Sequence, residues 1–202
     1  MINAVGRDIP EEILKQTGKE VFQGNYYKDG KPFHKAGPMV TPVMNHDHDK
    51  MVKDIHEALV KCNAHDGMTV SFHHHFRDGD LVVCMVMKEI QKMGLKDITI
   101  SASSLGKAHD DLVPMIEDGT ITNIESSGVR GKIGEAISHG KLKGLATMRS
   151  HGGRVRALVT GETHVDIAFI GAPTCDEYGN CRGIGGKTNC GVLSYSYVDG
   201  NQ

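Results

Sequence analysis

The sequence predicts an α/β fold, a mainly parallel sheet with flanking helices, from two patterns. From residue 68 onward, apolar runs of about five residues alternate with helical patterns of about ten, which is how right-handed βαβ units are written. The segment after each expected strand is rich in Gly, Ser, His and Arg, and in such sheets ligands sit beyond the carboxyl ends of the strands. A chain of 202 residues, 39% of them hydrophobic, can bury one core and carry at most an appendage.

Residues 1–48 show little periodicity and are punctuated by Gly24, Gly30, Pro32, Gly37, Pro38 and Pro42. They are expected to form an extended leader anchored by Phe22, Tyr26, Tyr27 and Phe33, ahead of an α/β domain over 49–202. Val52, Ile55, Leu59 and Cys62 recur at helical spacing, which predicts an amphipathic helix from Asp49 to near Asn63. Strands follow at 68–72, 97–102, 120–124, 145–148 and 165–170. Between them lie helices at 80–93 (ended by Gly94), 110–117, 132–139 (closed by Gly140) and 154–159. Pro114 is tolerable in a first helical turn, where the N–H has no partner anyway. The run 81–87 is apolar almost all round, as in a helix covered on both sides, and 191–198 is expected to add a last strand.

With 23 Lys+Arg against 25 Asp+Glu, the net charge of −2 lacks the basic face that nonspecific nucleic-acid binding requires. The longest apolar run, seven residues, is far short of the roughly 20 that span a bilayer. The N-terminus carries Arg7, Asp8, Glu11 and Glu12 and has no signal-peptide core, so the cytoplasm is the expected location. Five scattered cysteines make a disulfide framework unexpected, and the spacing of Cys175, Cys181 and Cys190 matches no common zinc pattern.

The candidate site is assembled from the loops after the strands: His73, His74, His75 and Arg77; Ser103 and Ser104; Ser127 and Gly128; Arg149, His151, Gly152, Gly153 and Arg154; and Gly179 with Asn180. Ring N–H groups and Arg77, beside the next helix N-terminus, suit an anion. Consecutive histidines point in different directions, so at most two could meet one metal ion, and no metal is expected. Buried histidines satisfied by backbone carbonyls are the bland alternative. His46-Asp47-His48-Asp49 resembles a metal cluster, but also an acidic helix start. Arg149, Arg154 and Arg156 around two glycines suit bidentate capture of carboxylate or phosphate, the alternative being a solvated basic face. Gly128, Gly131 and Gly134 form GxxGxxG rather than the dinucleotide fingerprint, and P-loop and nucleophile-elbow motifs are missing.

These loops carry a family resemblance. The string from Asp66 to Asp80 with its triple histidine resembles the first strand and loop of the citrate lyase alpha subunit family, which are citrate CoA-transferases. So do Ala102-Ser-Ser-Leu, Glu135-Ala-Ile-Ser, Met148-Arg-Ser-His-Gly-Gly-Arg154 and the leader's Gly6-Arg-Asp-Ile-Pro10. The string from Ala172 to Asn180, with its Asp-Glu-Tyr-Gly-Asn, is shared more widely among CoA-transferases. The resemblance implies the first of two similar α/β domains with the active site between them. It implies exchange of acetate for citrate on an acyl carrier protein thioester, followed by cleavage on a beta subunit to oxaloacetate and acetyl thioester. No cofactor would be bound directly. The partners would be the beta subunit, the carrier (gamma) subunit with its dephospho-CoA-derived arm, citrate and acetate, with no nucleic acid and no membrane. Family members are more than twice as long, so a truncated first domain, inactive alone and prone to form oligomers, is expected, and no catalytic nucleophile is carried over. A sugar-phosphate isomerase or deaminase of the same fold, and a non-catalytic ligand-binding or assembly module, are the alternatives.

Overall fold

The computed structural model describes residues 1–4, 6–18, 20–21, 27–28, 31–32, 50–73, 81–193 and 195–200. The leader is not wholly extended, because Glu11–Thr17 forms a helix, α1. Glu11 and Glu12 in its first turn and Lys15 in its last complement the helix dipole. Gly18 ends it at φ 63°, its N–H donating to the Leu14 carbonyl. Seven residues are too few to show an apolar stripe, so the periodicity that reveals longer helices was missing. Tyr27–Lys28 (β1) and Lys31–Pro32 (β2) pair antiparallel. The Phe22, Tyr26 and Phe33 anchors, the Tyr27 side chain and the His46–Asp49 cluster lie outside the described residues.

The next helix, α2 at Ile55–Lys61, begins later than the periodicity suggests because Asp54 caps it. Its carboxylate accepts the Glu57 N–H at 2.8 Å, while Glu57 accepts the Lys53 N–H at 3.0 Å. Then come β3 (Thr69–His73), α3 (Val82–Lys92) and β4 (Ile98–Ala102). A 3-10 turn at Lys107–Leu112 leads into α4 (Val113–Glu117), with Pro114 in the first turn as expected. The series continues with β5 (Ile121–Ser126), α5 (Gly131–Ser138), β6 (Ala146–Met148), α6 (His151–Val159) and β7 (Ile167–Ile170). A small antiparallel pair, β8 (Thr174–Cys175) and β9 (Cys181–Arg182), and a final short helix, α7 (Ser196–Asp199), complete it.

Two expectations are corrected. The last segment is a helical turn, not a strand: α7 carries Asp199 into the interior, where it is 1% exposed, and tertiary pairing overrides the strand propensity of Tyr195, Tyr197 and Val198. The α3 region is not covered on both sides, since Leu81 and Met85 are 64% and 53% exposed. Only the face bearing Val83, Cys84, Val86, Met87 and Ile90 is buried.

Strands β3 to β7 form one parallel sheet in the order β6-β5-β4-β3-β7. The chain steps outward from β3 to β6 and then returns to place β7 on the other side of β3. That reversal opens a crevice at the carboxyl end of β3, where α/β proteins bind ligands. Alternation along the strands splits the polarity. Val70, Phe72, Ile98, Ile100 and Ala102 join the apolar core with residues of α2, α3, α4 and α5, whereas Ser71 and Ser101, register partners, are buried on the opposite face. No helix of the described residues is long and apolar enough to cross a membrane.

Candidate functional site

A cavity of about 620 Å³ opens beyond the carboxyl ends of β3, β4 and β5. It is lined by Phe72, His73, Ser103, Ser104, Gly106, His109, Ser127, Gly128, Arg130 and His151. Its floor is two loops that continue the parallel pairing past the strand ends. Ser127 N–H donates to Ser103 O at 3.2 Å, Leu105 N–H to Gly128 O at 3.0 Å and Arg130 N–H to Leu105 O at 2.9 Å. The Ser127 hydroxyl also donates to the Ser103 carbonyl. Backbone zipping of this kind fixes the floor before any ligand arrives, which lowers the ordering cost of binding.

The glycines shape this floor. Gly131 has φ +70°, and a Cβ there would come within 2.6 Å of Asp110 Oδ1, the atom that caps α5 by accepting the Lys132 N–H at 2.8 Å. A Cβ on Gly134 would press on the Val129 carbonyl at 3.2 Å. Gly131 and Gly134 thus serve close packing of α5 under the loop, whereas a Cβ on Gly128 would meet nothing within 4 Å.

Three histidines are held differently. His73, the last residue of β3, is 7% exposed, with Nδ1 at 3.3 Å from the Ser103 hydroxyl. Tyr195 stands edge-on to the His73 ring at 5.2 Å and beside the His151 ring at 5.7 Å, so one aromatic braces both. The Gly106 N–H donates to His109 Nδ1 at 3.0 Å, which leaves Nε2 as the nitrogen that carries the proton in the neutral ring. Arg130 is exposed at the rim. Among the described residues, no carboxylate lines the cavity. Such a set of N–H, O–H and guanidinium groups can donate several hydrogen bonds to an anionic group.

Of the residues expected at the site, His73, Ser103, Ser104, Ser127, Gly128 and His151 come together here. His74, His75 and Arg77 lie outside the described residues. The arginine cluster does not line the cavity. Arg154 is 3% exposed on the other face of the sheet, where its Nη2 donates to Asp199 at 2.7 Å and to the Ser71 hydroxyl at 3.0 Å, and Nη1 reaches Asp199 at 3.3 Å. Arg149 pairs with Glu162 at 2.7 Å and approaches Glu125 at 3.7 Å, and Arg156 holds the other Glu162 oxygen at 2.8 Å. Gly152 and Gly153 are not a loop but the first turn of α6, whose cap Ser150 accepts the Gly153 N–H at 3.1 Å. Gly179 and Asn180 sit apart, in the exposed turn between β8 and β9. There Asp176 accepts N–H bonds from Tyr178 and Asn180 and from the Asn180 side chain. These bonds, led by that of the Asn180 side chain, hold the Asp176 carboxyl below its usual range.

Gly106 and Arg130 belong to the loops that the sequence places after the strands without standing out there, and Phe72 and His109 lie outside those loops. His109 lies where a helix start was expected, and its one local signal is the Gly-x-x-His spacing that lets a side chain reach back to a turn's first N–H.

Comparison with known proteins agrees with this architecture. Residues 48–202 match the family model "Citrate lyase, alpha subunit (CitF)". The citrate lyase alpha chain of Escherichia coli is 49% identical over 150 residues, 74% of this chain and 29% of that protein. The Klebsiella pneumoniae alpha chain is 45% identical over the same length, 30% of its own. A solved Streptococcus mutans structure, assigned as an alpha subunit of citrate lyase in complex with citrate, superposes with a TM-score of 0.80 at 48% identity, covering 98% of this chain and 38% of that one. The match thus spans about three-tenths of the length of the curated relatives. A parallel α/β sheet with this cavity, and a family match over residues 48–202, together establish that the chain belongs to the citrate lyase alpha subunit family.

Proposed function

We propose that this chain contributes the citrate-facing wall of a citrate CoA-transferase, the enzyme component of citrate lyase that exchanges acetate for citrate on an acyl carrier protein thioester. The observation that carries the reading is the cavity, where Arg130, three histidines and three serine hydroxyls converge with no carboxylate among the described lining residues. Citrate brings three carboxylates, each able to accept charge-assisted hydrogen bonds. The solved Streptococcus mutans relative holds citrate, which favours a tricarboxylate over a phosphosugar for this cavity. The product thioester would pass to a beta subunit for cleavage to oxaloacetate and acetyl thioester, and the dephospho-CoA-derived arm belongs to the carrier rather than to this chain. The assembly would work in the cytoplasm.

The test is ligand-dependent stabilisation. Citrate at 100 times its dissociation constant should add about 2.7 kcal/mol to unfolding stability and raise the thermal midpoint, while ribose 5-phosphate should not. A midpoint moved by the phosphosugar and untouched by citrate would transfer the reading to an isomerase or deaminase.

A further inference from the structure

The β8–β9 pair contains a feature that the cavity does not explain. Its register sets Thr174 against Arg182 and Cys175 against Cys181. One step further into the turn, the Asp176 N–H donates to the Asn180 carbonyl at 3.1 Å. Hydrogen-bonded and non-hydrogen-bonded pairs alternate along an antiparallel ladder, so Cys175 and Cys181 occupy a non-hydrogen-bonded position. There the Cα atoms approach to about 4.5 Å and both side chains leave the same face. Disulfides span Cα separations of about 4.4–6.8 Å, so a pair in this register falls inside the range a bridge needs. Both residues are exposed to reagents. Burial pushes the Cys181 thiol up, and Cys175 and Asp176 add to that shift; the Cys181 thiol lies 3.8 Å from the Gly179 carbonyl.

We propose that Cys175 and Cys181 are a dithiol modification site that takes a low-molecular-weight disulfide as oxidant and closes reversibly across the strands. The thiolate of one cysteine attacks a sulfur of the small disulfide. The S–S bond breaks, and one small thiol leaves with the proton the cysteine gave up. The second cysteine then attacks the protein-side sulfur of the mixed disulfide and releases the second small thiol. Two protein thiols and one disulfide become one protein disulfide and two small thiols, with two electrons passing from protein to reagent. An excess of small thiol reopens the bridge by the reverse of the same exchange. Closure would staple the turn that carries Gly179 and Asn180, and with it the Glu177 carbonyl that receives the Lys50 N–H at 2.7 Å.

The experiment treats the reduced full chain with oxidised glutathione and then maps it. Trypsin together with a glutamate-specific protease cuts after Glu162, Glu177 and Arg182, leaving segments 163–177 and 178–182 joined only through a Cys175–Cys181 bond. The expected result is a mass lower by two hydrogens, loss of two of the five titratable thiols together, this linked pair in the map, and full recovery with dithiothreitol. Cys190→Ser should leave the linkage intact, and Cys181→Ser should abolish it. Glutathione retained as a stable mixed disulfide on either residue, a bond from either one to Cys190 or Cys62, or two thiols that stay alkylatable would each overturn the proposal.

Discussion

Two donor-rich regions lie near the carboxyl ends of the same strands, and their neighbours set them apart. The arginines of the α6 region are matched by the protein's own carboxylates: Arg154 by Asp199 in a dry interior, and Arg149 and Arg156 by a shared Glu162. In the cavity, Arg130 and the three histidines face serines, glycines and backbone, with no acid among the described lining. A guanidinium that already holds a bidentate carboxylate has no reason to exchange it for a ligand, because leaving the internal acid unpaired costs more than the new contact returns. The cavity's donors therefore gather where no carboxylate stands among the described lining, rather than where arginines are densest.

Breaking the buried pair gives the largest effect. Arg154→Ala leaves the buried Asp199 carboxylate without its arginine partner, and should lower unfolding stability by about 3–5 kcal/mol in urea titration. The double change Arg154→Ala with Asp199→Ala should cost clearly less than the sum of the two singles, since the pair acts as one unit. If the single arginine change costs under about 1 kcal/mol, the contrast between the two regions is lost.

The two remaining arginines sharpen the contrast by separating stability from binding. Arg149→Ala removes charge-assisted contacts to Glu162 and should cost about 1.5–3 kcal/mol of stability with citrate affinity unchanged. Arg130→Ala at the exposed rim should do the reverse, weakening citrate about tenfold by calorimetry while stability stays within about 0.5 kcal/mol. Affinity that follows Arg149 instead would move the anion site onto α6.

The smallest effect lies at the opposite, amino edge of the sheet. Burial works against ionisation of Asp118, but hydrogen bonds from Thr120 and Gln91 and the Lys96 ammonium outweigh it and hold the carboxyl well below the usual range. Because the folded value lies below the unfolded one, this contribution is present above about pH 4 and is lost as pH falls through the folded value. Between pH 5 and pH 2, Asp118→Asn should lose less stability than the parent in parallel urea titrations, with citrate binding at neutral pH unaffected.

Sequence pattern and structure agree where burial alone decides. The central strands β3 and β4 are buried along most of their length and the others keep short apolar runs, so all five are visible, as are the Ser103 and Ser127 loops and the His151 helix start that follow strand ends. The disagreements sit where a distant partner decides. Nothing near Arg154 in the chain announces Asp199, 45 residues later, and nothing near Arg149 announces Glu162 as a bridge. The same pair explains why residues 196–199 turn into a helix despite their strand-forming side chains. His109 was hidden by its position at a helix start, and β8 and β9, two residues each, are too short to show alternation.

The strand order also sets a timetable for synthesis. Strands β3 to β6 each pair with the next one made, but β7 must return to β3, and the Thr69 N–H meets the Asp166 carboxylate 97 residues away. As the chain leaves the ribosome, the β6-β5-β4-β3 half can assemble while the flank of β3 still waits for its last neighbour. Closing so long a loop is the slow, entropically costly step, and until it happens β3 offers an unpaired edge to any other nascent chain. Asp199 is made after β7, so the salt bridge that removes an arginine from ligand binding can only lock an edge that β7 has already closed.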